Sequence, residues 1–398
     1  MLSQFLQVSS EGNNVDSVPL DLDRAEKTGT KTENSAEQVP SAVVEIKRLL
    51  LVTDAWQPQT NGVVTTLNHW IAELVKKGVK VEVISPDGYQ KFPLPSYPEI
   101  QMVWRAPDLW QRISEFKPHA LHIATEGTLG WKVRRLALKN AIPFTTGYHT
   151  KYPEYIQQRW PWISPRWVYR LMHYFHKEAK RVLVPAPSIK AELEQQGFEQ
   201  VGVVSRGVNT QLFSPQRAKE LAYPKPIMLY VGRVAPEKNL PAFLNTSLPG
   251  TKLVVGKGPE LELLQQKYPD VHFLGAKYAE QLAELYASAD VFVFPSLTDT
   301  FGVVNIEALA SGTPVAAYEV TGPKDMVLHG VNGFLEADIQ KSLDEVIKQA
   351  IALKASVPVS QITKSVKHFQ WEQAAVQFYQ QLQPISDDHW NHTKRRFK

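Results

Sequence analysis

Two carboxylates, Asp299 and Glu307, are separated by seven residues in the segment TDTFGVVNIEALASGTPV, just after the apolar run Val291 to Pro295 (VFVFP). If a helix begins near Phe301, the eight steps between them cover roughly 12 Å and bring both carboxylates to nearly the same face. That spacing suits two hydroxylated groups joined by a diphosphate. The amides at such a helix start, Phe301 to Val303, are placed to bind phosphate, and Gly302 lets a ligand approach the backbone closely. On spacing alone, an ordinary helix with an acidic N-cap and one exposed carboxylate explains the pattern as well.

Other polar groups recur just after apolar runs. In Val231 to Asn239 (VGRVAPEKN) a strand is expected to end at Gly232, followed by Arg233 and Lys238. Two cations there are well placed to neutralise a leaving diphosphate. Gly256-Lys257-Gly258-Pro259 follows a further strand and is either a plain turn or a ligand contact. Nearer the start, Asp54 to Val63 (DAWQPQTNGV) joins the first strand to the first helix; Gly62 allows close approach there, although this is no G-x-G-x-x-G fingerprint. His149, in TTGYHTKYPEY, follows the expected strand Ile142 to Thr146 and should point into a cleft. Glu126, in HIATEGTLGW, follows Ala120 to Ala124 and either binds an acceptor hydroxyl or marks a helix start.

The elements that must carry these groups alternate. Arg48 to Asp54 reads as a buried strand, Gly62 to Lys77 as an amphipathic helix and Val79 to Ser85 as the next strand. The alternation restarts with strands Pro226 to Gly232, Lys252 to Gly256 and Val291 to Pro295, and with a helix Glu260 to Lys267. Two doubly wound α/β units in tandem are the simplest account, with ligands expected at the carboxyl ends of the strands and hence in a cleft between the units. The chain divides into an N-terminal extension, 1–45, too polar to repay its ordering entropy; a first Rossmann-like domain, 46–210, taken as the acceptor side; a second, 211–370, taken as the donor side; a closing helix, 371–385; and a basic tail, 386–398. Arg206 to Pro215 (RGVNTQLFSP) is read as the boundary.

A chain of 398 residues with 43% hydrophobic content supports this division. It has no cysteine, which removes disulfides, thiolate nucleophiles and cysteine-ligated metals and fits the cytoplasm. No signal peptide and no uninterrupted apolar run of about 18 residues is evident, so any membrane contact is expected to be peripheral. The net charge of +4 is unevenly spread: residues 46–210 hold 22 Lys and Arg against 13 Asp and Glu, whereas residues 1–45 hold 3 against 8. The basic half suits an anionic membrane or a phosphorylated acceptor, or is only a soluble surface.

Taken together and in this order, VGRVAPEKN, GKGPE and D-x7-E followed by ALASGTPV resemble the donor half of family 4 glycosyltransferases, from about Arg48 to Leu382. The resemblance implies the GT-B fold, two Rossmann-like domains facing a central cleft, and transfer of a hexose from a UDP- or GDP-sugar with retention of configuration. It implies that Arg233 and Lys238 hold the donor diphosphate, Glu307 the ribose hydroxyls and Asp299 the hydroxyls of the hexose. It sets the Asn61-Gly62-Val63 loop against the donor phosphate and His149 against the hexose. Acceptor contacts are assigned to Glu126, Tyr148 and Tyr152. The family signature is usually written E-x7-E, so the Asp at 299 is a departure that bears on which sugar is held.

The proposal usual for the family is front-face attack through an oxocarbenium-like ion pair, with the leaving diphosphate taking the acceptor proton. No protein nucleophile is needed, only stabilisation of the departing oxygen and placement of the acceptor. No cofactor and no essential metal ion is expected, because the one D-x-D, Asp21-Leu22-Asp23, lies in the N-terminal extension. Arg159 to Arg181 interleaves Trp160, Trp162 and Trp167 with Arg166 and Arg170, a mixture suited to a bilayer interface or to a core helix with a solvated face. TDAWQPQTNGVV, YHTKYPEY and TDTFG look closest to bacterial enzymes that glycosylate diacylglycerol, with related mannosyltransferases carrying similar motifs. The partners expected are a nucleotide sugar, a lipid acceptor and the inner face of the membrane, with no nucleic acid. Competing readings are a glycosyltransferase of polysaccharide or lipopolysaccharide assembly, a nucleotide-sugar epimerase, a phosphorylase with a lysine-bound pyridoxal phosphate, and a scaffold without turnover.

Overall fold

In the computed structural model, residues 45–57, 59, 61–94, 97–160 and 162–393 are described. The extension 1–44, with Asp21-Leu22-Asp23, and the last residues of the basic tail, 394–398, lie outside them.

The apolar runs become parallel strands because both of their faces are covered. Leu49 to Val52 have no exposed surface at all, which only a central strand with helices on both sides can achieve. The first sheet contains β1 (Arg48–Val52), β2 (Lys80–Ile84), β5 (Ala120–Ile123), β6 (Thr145–Gly147), β7 (Arg181–Val184) and β8 (Val201–Val203), in the order β2-β1-β5-β6-β7-β8. A two-stranded antiparallel hairpin, β3 (Gln90–Leu94) and β4 (Tyr97–Arg105), stands beside it. The second sheet contains β9 (Ile227–Val231), β10 (Thr251–Val255), β11 (His272–Gly275), β12 (Val291–Phe294), β13 (Val315–Tyr318) and β14 (Gly333–Glu336), in the order β11-β10-β9-β12-β13-β14. Every pairing within the two six-stranded sheets is parallel.

Each order reverses once, between β1 and β5 in the first sheet and between β9 and β12 in the second. At such a point the connections leave the sheet to opposite faces and open a crevice at the carboxyl ends. The segments that follow β1, β5 and β6 contain Gly62, Glu126 and His149; those that follow β9 and β12 contain Arg233, Lys238 and Asp299.

The helix Trp371–Gln381 returns from the second sheet to the first. The Trp371 ring stacks on His69 at 4.2 Å and Phe378 stacks on Trp70 at 4.3 Å, both partners lying on the helix Gly62–Lys76. The segment read as a basic tail begins differently from that expectation. A helix, Asp387–Thr393, docks on the first sheet through Arg48 to Asp387 at 2.8 Å and Trp390 Nε1 to the Pro118 carbonyl at 3.0 Å.

Asn61 shapes the entry to the helix Gly62–Lys76: its Oδ1 accepts from the amides of Val63 at 3.1 Å and Val64 at 3.0 Å. Asn61→Ala should therefore lower unfolding stability by about 1 kcal/mol, measured by urea titration.

Candidate active site

At the reversal of the second sheet, the exits of β9 and β12 bring two charged groups into contact. Lys238 closes a short 3-10 turn, Pro236–Lys238, and its Nζ donates to Asp299 Oδ1 at 2.6 Å. Burial opposes the lysine charge, but the Asp299 carboxylate outweighs it and holds the ammonium above its ordinary pKa. Asp299 Oδ2 is buried and accepts from no described residue. Arg233 Nη1 stands 3.8 Å from Glu237 Oε1, and the Tyr230 hydroxyl donates to the Arg233 carbonyl at 2.8 Å, pinning the turn that carries it. The exits of β9 and β10 run against each other: a Cβ on Gly256, whose φ is +147°, would fall 1.8 Å from the Gly232 carbonyl oxygen. Only glycine fits that crossing, so GKGP is first of all a place of close backbone approach.

The helix carrying Glu307 begins later than its sequence suggests. It runs Val303–Ala310, preceded by Gly302 at φ +81°, so Asp299 stands in the loop ahead of the helix rather than on it. The shared helical face expected for Asp299 and Glu307 does not form, because the left-handed Gly302 ends helical geometry before Asp299 is reached. Gly302 offers no side chain to cap the helix amides. Phe301 is buried and packs edge-on against Phe369 at 5.7 Å, leaving its backbone as the part at hand; Val303 is half-buried. Glu307 Oε2 accepts from the Tyr286 hydroxyl at 3.0 Å, and burial pushes the carboxyl up to about 7.

The first sheet brings His149 to these groups. The His149 carbonyl accepts from Thr300 Oγ1 at 2.9 Å, one residue from Asp299, so the exits of β6 and β12 meet directly. Lys151 Nζ donates to Thr321 Oγ1 at 3.3 Å and the Ser188 amide donates to Asp325 Oδ1 at 3.0 Å, further joining the two halves. On the ring, Nδ1 accepts from Arg206 Nη2 at 2.8 Å, while Nε2 is buried and has no partner among the described residues.

Glu126 lies beside a helix start but does not cap it. Asp54 does: its carboxylate accepts from the amides of Leu129 at 2.7 Å and Gly130 at 3.1 Å. Glu126 instead pairs with His176, Oε1 to Nε2 at 3.1 Å, and the other nitrogen of that ring meets Thr146 Oγ1 at 2.8 Å. Tyr152 is close enough to Glu126 and Asp54 that their charges add to burial in raising its hydroxyl pKa. The acceptor contact expected of Tyr148 is not met in this arrangement. Its ring is fully buried against Phe198 and His176, with a hydroxyl that reaches neither a described partner nor solvent. Gly62 stands exposed at the first helix start, where a Cβ would meet nothing within 4 Å. The two amides that follow it are already taken by Asn61, which narrows what that turn can offer a phosphate.

Four groups escaped the sequence reading. Tyr286 holds Glu307, Tyr230 holds the arginine turn, Thr300 joins the halves, and Arg206 holds His149. Arg206 carried a usable signal: it follows an apolar run, VGVV, as Arg233 does, yet its Gly-Val-Asn neighbours marked it as linker. Tyr286 gave none, since nothing in a helix sequence says which distant carboxylate a buried hydroxyl will meet. Among the described residues no three His, Asp or Glu side chains gather so as to hold a metal ion, and no helix is long and apolar enough to cross a membrane.

Known proteins share this plan. Residues 60–212 match Glycosyltransferase Family 4, and residues 214–362 match Glycosyl transferases group 1. A GDP-mannose-dependent alpha-mannosyltransferase of Mycobacterium tuberculosis is 30% identical over 314 residues, covering 72% of this chain and 83% of the relative. The sulfoquinovosyl transferase SQD2 of Arabidopsis thaliana is 31% identical over 62% of this chain and 52% of its own length. An alpha-monoglucosyldiacylglycerol synthase of Streptococcus pneumoniae is 26% identical over 68% of this chain and 71% of its own. Among solved structures, the sucrose-phosphate synthase of Thermosynechococcus elongatus superposes with a TM-score of 0.68 at 22% identity, over 84% of this chain and 98% of that one. Anabaena HepE, in complex with UDP and glucose, superposes at 0.60 with 17% identity, over 84% and 99%. The two parallel sheets thus form the GT-B fold, and the chain is an enzyme that belongs to glycosyltransferase family 4.

Proposed function

We propose that this glycosyltransferase moves a hexose of the glucose, glucuronic acid or mannose type from a nucleotide diphosphate sugar to a membrane lipid such as diacylglycerol, forming an α-glycoside with retention. The observation that carries the reading is the meeting of Lys238, Asp299 and Thr300 with His149 where two reversed sheets face each other. A diphosphate seated at the exits of β9 and β12 would meet Arg233 and Lys238, and the backbone around Gly302 and Val303. Ribose hydroxyls would donate to Glu307. The open oxygen of Asp299 is suited to a hexose hydroxyl, with His149 on the other side of the sugar. Departure of the nucleotide places negative charge where the two cations stand, and the leaving phosphate oxygen can take the acceptor proton. Glu126, locked by His176, is the carboxylate best kept in place for an acceptor hydroxyl, with Tyr152 beside it.

The lipid acceptor is supported by the surface of the first half and by one relative, the alpha-monoglucosyldiacylglycerol synthase. The helix Pro165–His176 buries Val168, Met172 and Phe175, while Trp162 and Trp167 are 78% and 68% exposed and Trp160 is partly so. Arg166 and Arg170 are exposed too, with the Arg170 guanidinium 5.3 Å from the Trp167 ring. The adjoining helix Thr128–Lys139 meets this one through Trp131 and Tyr174, and its Lys132, Arg135 and Lys139 line a surface pocket with Trp104 and Arg105. Rings flanked by cations sit well at headgroup depth on anionic lipid. Replacing Trp162, Trp167, Arg166 and Arg170 by alanine should weaken sedimentation with anionic vesicles, each arginine contributing about 1 kcal/mol. Unchanged partitioning would remove the membrane from the proposal and leave the transfer reaction standing.

The deciding experiment is a panel of UDP- and GDP-sugars offered with a membrane lipid extract and read by mass detection of products. A glycolipid one hexose heavier than its acceptor is expected. Products found only on polysaccharide or lipopolysaccharide acceptors, or an epimerised donor formed without acceptor, would replace this reading.

A further inference from the structure

We infer that Arg206 is a positioning residue for His149: it fixes the imidazole as the neutral tautomer with its proton on Nε2, and so presents that nitrogen as a hydrogen-bond donor. The use made of that donor rests on the proposed contact between His149 and the hexose; the tautomer itself follows from local geometry. A guanidinium has five N–H donors and no acceptor. Since Arg206 Nη2 lies 2.8 Å from His149 Nδ1, Nδ1 must supply a lone pair, and a neutral ring then carries its proton on Nε2. That nitrogen is buried with no described partner, so the donor is left unspent within the protein.

The arginine is itself held rigidly. It is 5% exposed, Nη1 donates to the Val204 carbonyl at 3.1 Å, and the guanidinium stands 5.1 Å from the ring of Trp70, which is locked by Phe378. Burial alone pushes its pKa down, to about 9, with no carboxylate offsetting the cost. An unpaired buried cation is an expensive way to fill space, and a methionine or leucine would do that better. What the cation adds is a donor aimed at Nδ1 and a field against protonating the ring. Burial, then Arg206, His122 and His176, hold His149 well below its ordinary pKa. A neutral ring suits a neighbour that gains positive charge, as an oxocarbenium-like hexose does, and Nε2–H can still donate to a sugar oxygen. Gly147 supports the ring from beneath: a Cβ there would fall 2.5 Å from Nε2 and 3.0 Å from the Ala124 carbonyl.

The test is a two-bond 15N–1H spectrum of the full chain labelled with 15N-histidine, recorded at neutral pH, with His149→Gln identifying the ring's signals. The wild-type ring should show a bare Nδ1 and a protonated Nε2. Arg206→Met should give a mixture of tautomers and lower kcat about tenfold, the worth of one hydrogen bond, with little change in the donor KM. Gly147→Ala, which displaces the ring but keeps the arginine, should lower kcat similarly. A protonated Nδ1 in the wild type, or an unchanged spectrum in Arg206→Met, overturns the inference; should that variant not fold, the wild-type spectrum decides alone. If the tautomer behaves as stated while His149→Gln transfers at the wild-type rate, the positioning stands and the hexose contact proposed for His149 falls.

Discussion

Alanine at position 238 should lower hexose transfer about 10²- to 10³-fold, the loss of one preorganised charge that meets a leaving group. The side chain of Lys238 is recessed and already oriented by Asp299 at 2.6 Å, so little reorganisation is needed when a diphosphate arrives. Removing it takes away that charge and also the side chain that orients Asp299 Oδ1, so the carboxylate is no longer held for the hydroxyl proposed to meet it. Both effects act in the same direction. Neither touches the strands, since Lys238 sits in a 3-10 turn beyond β9, so circular dichroism should stay near wild type, while the largely buried carboxylate left without its partner should lower the melting temperature. Arginine at 238 is not a conservative rescue, because its planar fork cannot occupy the compact space of an ammonium between turn and carboxylate. Single-turnover transfer measured with a saturating nucleotide sugar is the check. A rate within threefold of wild type would remove the β9–β12 crevice as the seat of the leaving group.

The sequence was most informative where periodicity and backbone chemistry coincide. Leu49 to Val52 and Val291 to Phe294 are uninterrupted apolar runs, and a strand buried on both faces is the economical use of each. Arg233 and Lys238 were legible because a cation just past such a run has to emerge at a carboxyl end. The start of the Glu307 helix was not, since TDTFG contains good N-cap residues, whereas the chain turns left-handed at Gly302 in a spot where a Cβ would fall 2.6 Å from Asn305 Nδ2 and 3.0 Å from the Phe294 ring. Tyr148 misled for a related reason. It neighbours His149, but successive side chains leaving a strand point to opposite sides, and the one beside a cleft residue enters the core. The partners that hold the site, Tyr286 for Glu307 and Arg206 for His149, lie 21 and 57 residues away in sequence, and only the folded chain brings them together.

Glutamine or alanine at position 307 should weaken nucleotide binding about 10²-fold or more, and glutamine, which still offers Tyr286 an acceptor, should make the protein more stable above neutral pH. Two ribose hydroxyls donating to a carboxylate are each worth roughly 1.5–3 kcal/mol, and neither substitute supplies an ionised acceptor. The opposite effect on stability follows from the pKa. Burial raises Glu307 from 4.5 to about 7, so between those values the native state binds more protons than the unfolded chain. Stability therefore falls as pH rises through that window, by up to about 3 kcal/mol, and Glu307→Gln abolishes the slope. Ligand binding has the reverse sign: hydroxyl donors favour the ionised carboxylate, so affinity for a UDP- or GDP-sugar, whose esterified diphosphate does not titrate in this range, should rise with pH up to about 7 and then level off. Below that point binding expels a proton from Glu307, and calorimetry in two buffers of different ionisation enthalpy detects it. Glu307→Gln should bind weakly at every pH and release no proton. Proton release that persists in the variant would mean that the nucleotide's hydroxyls meet some other carboxylate.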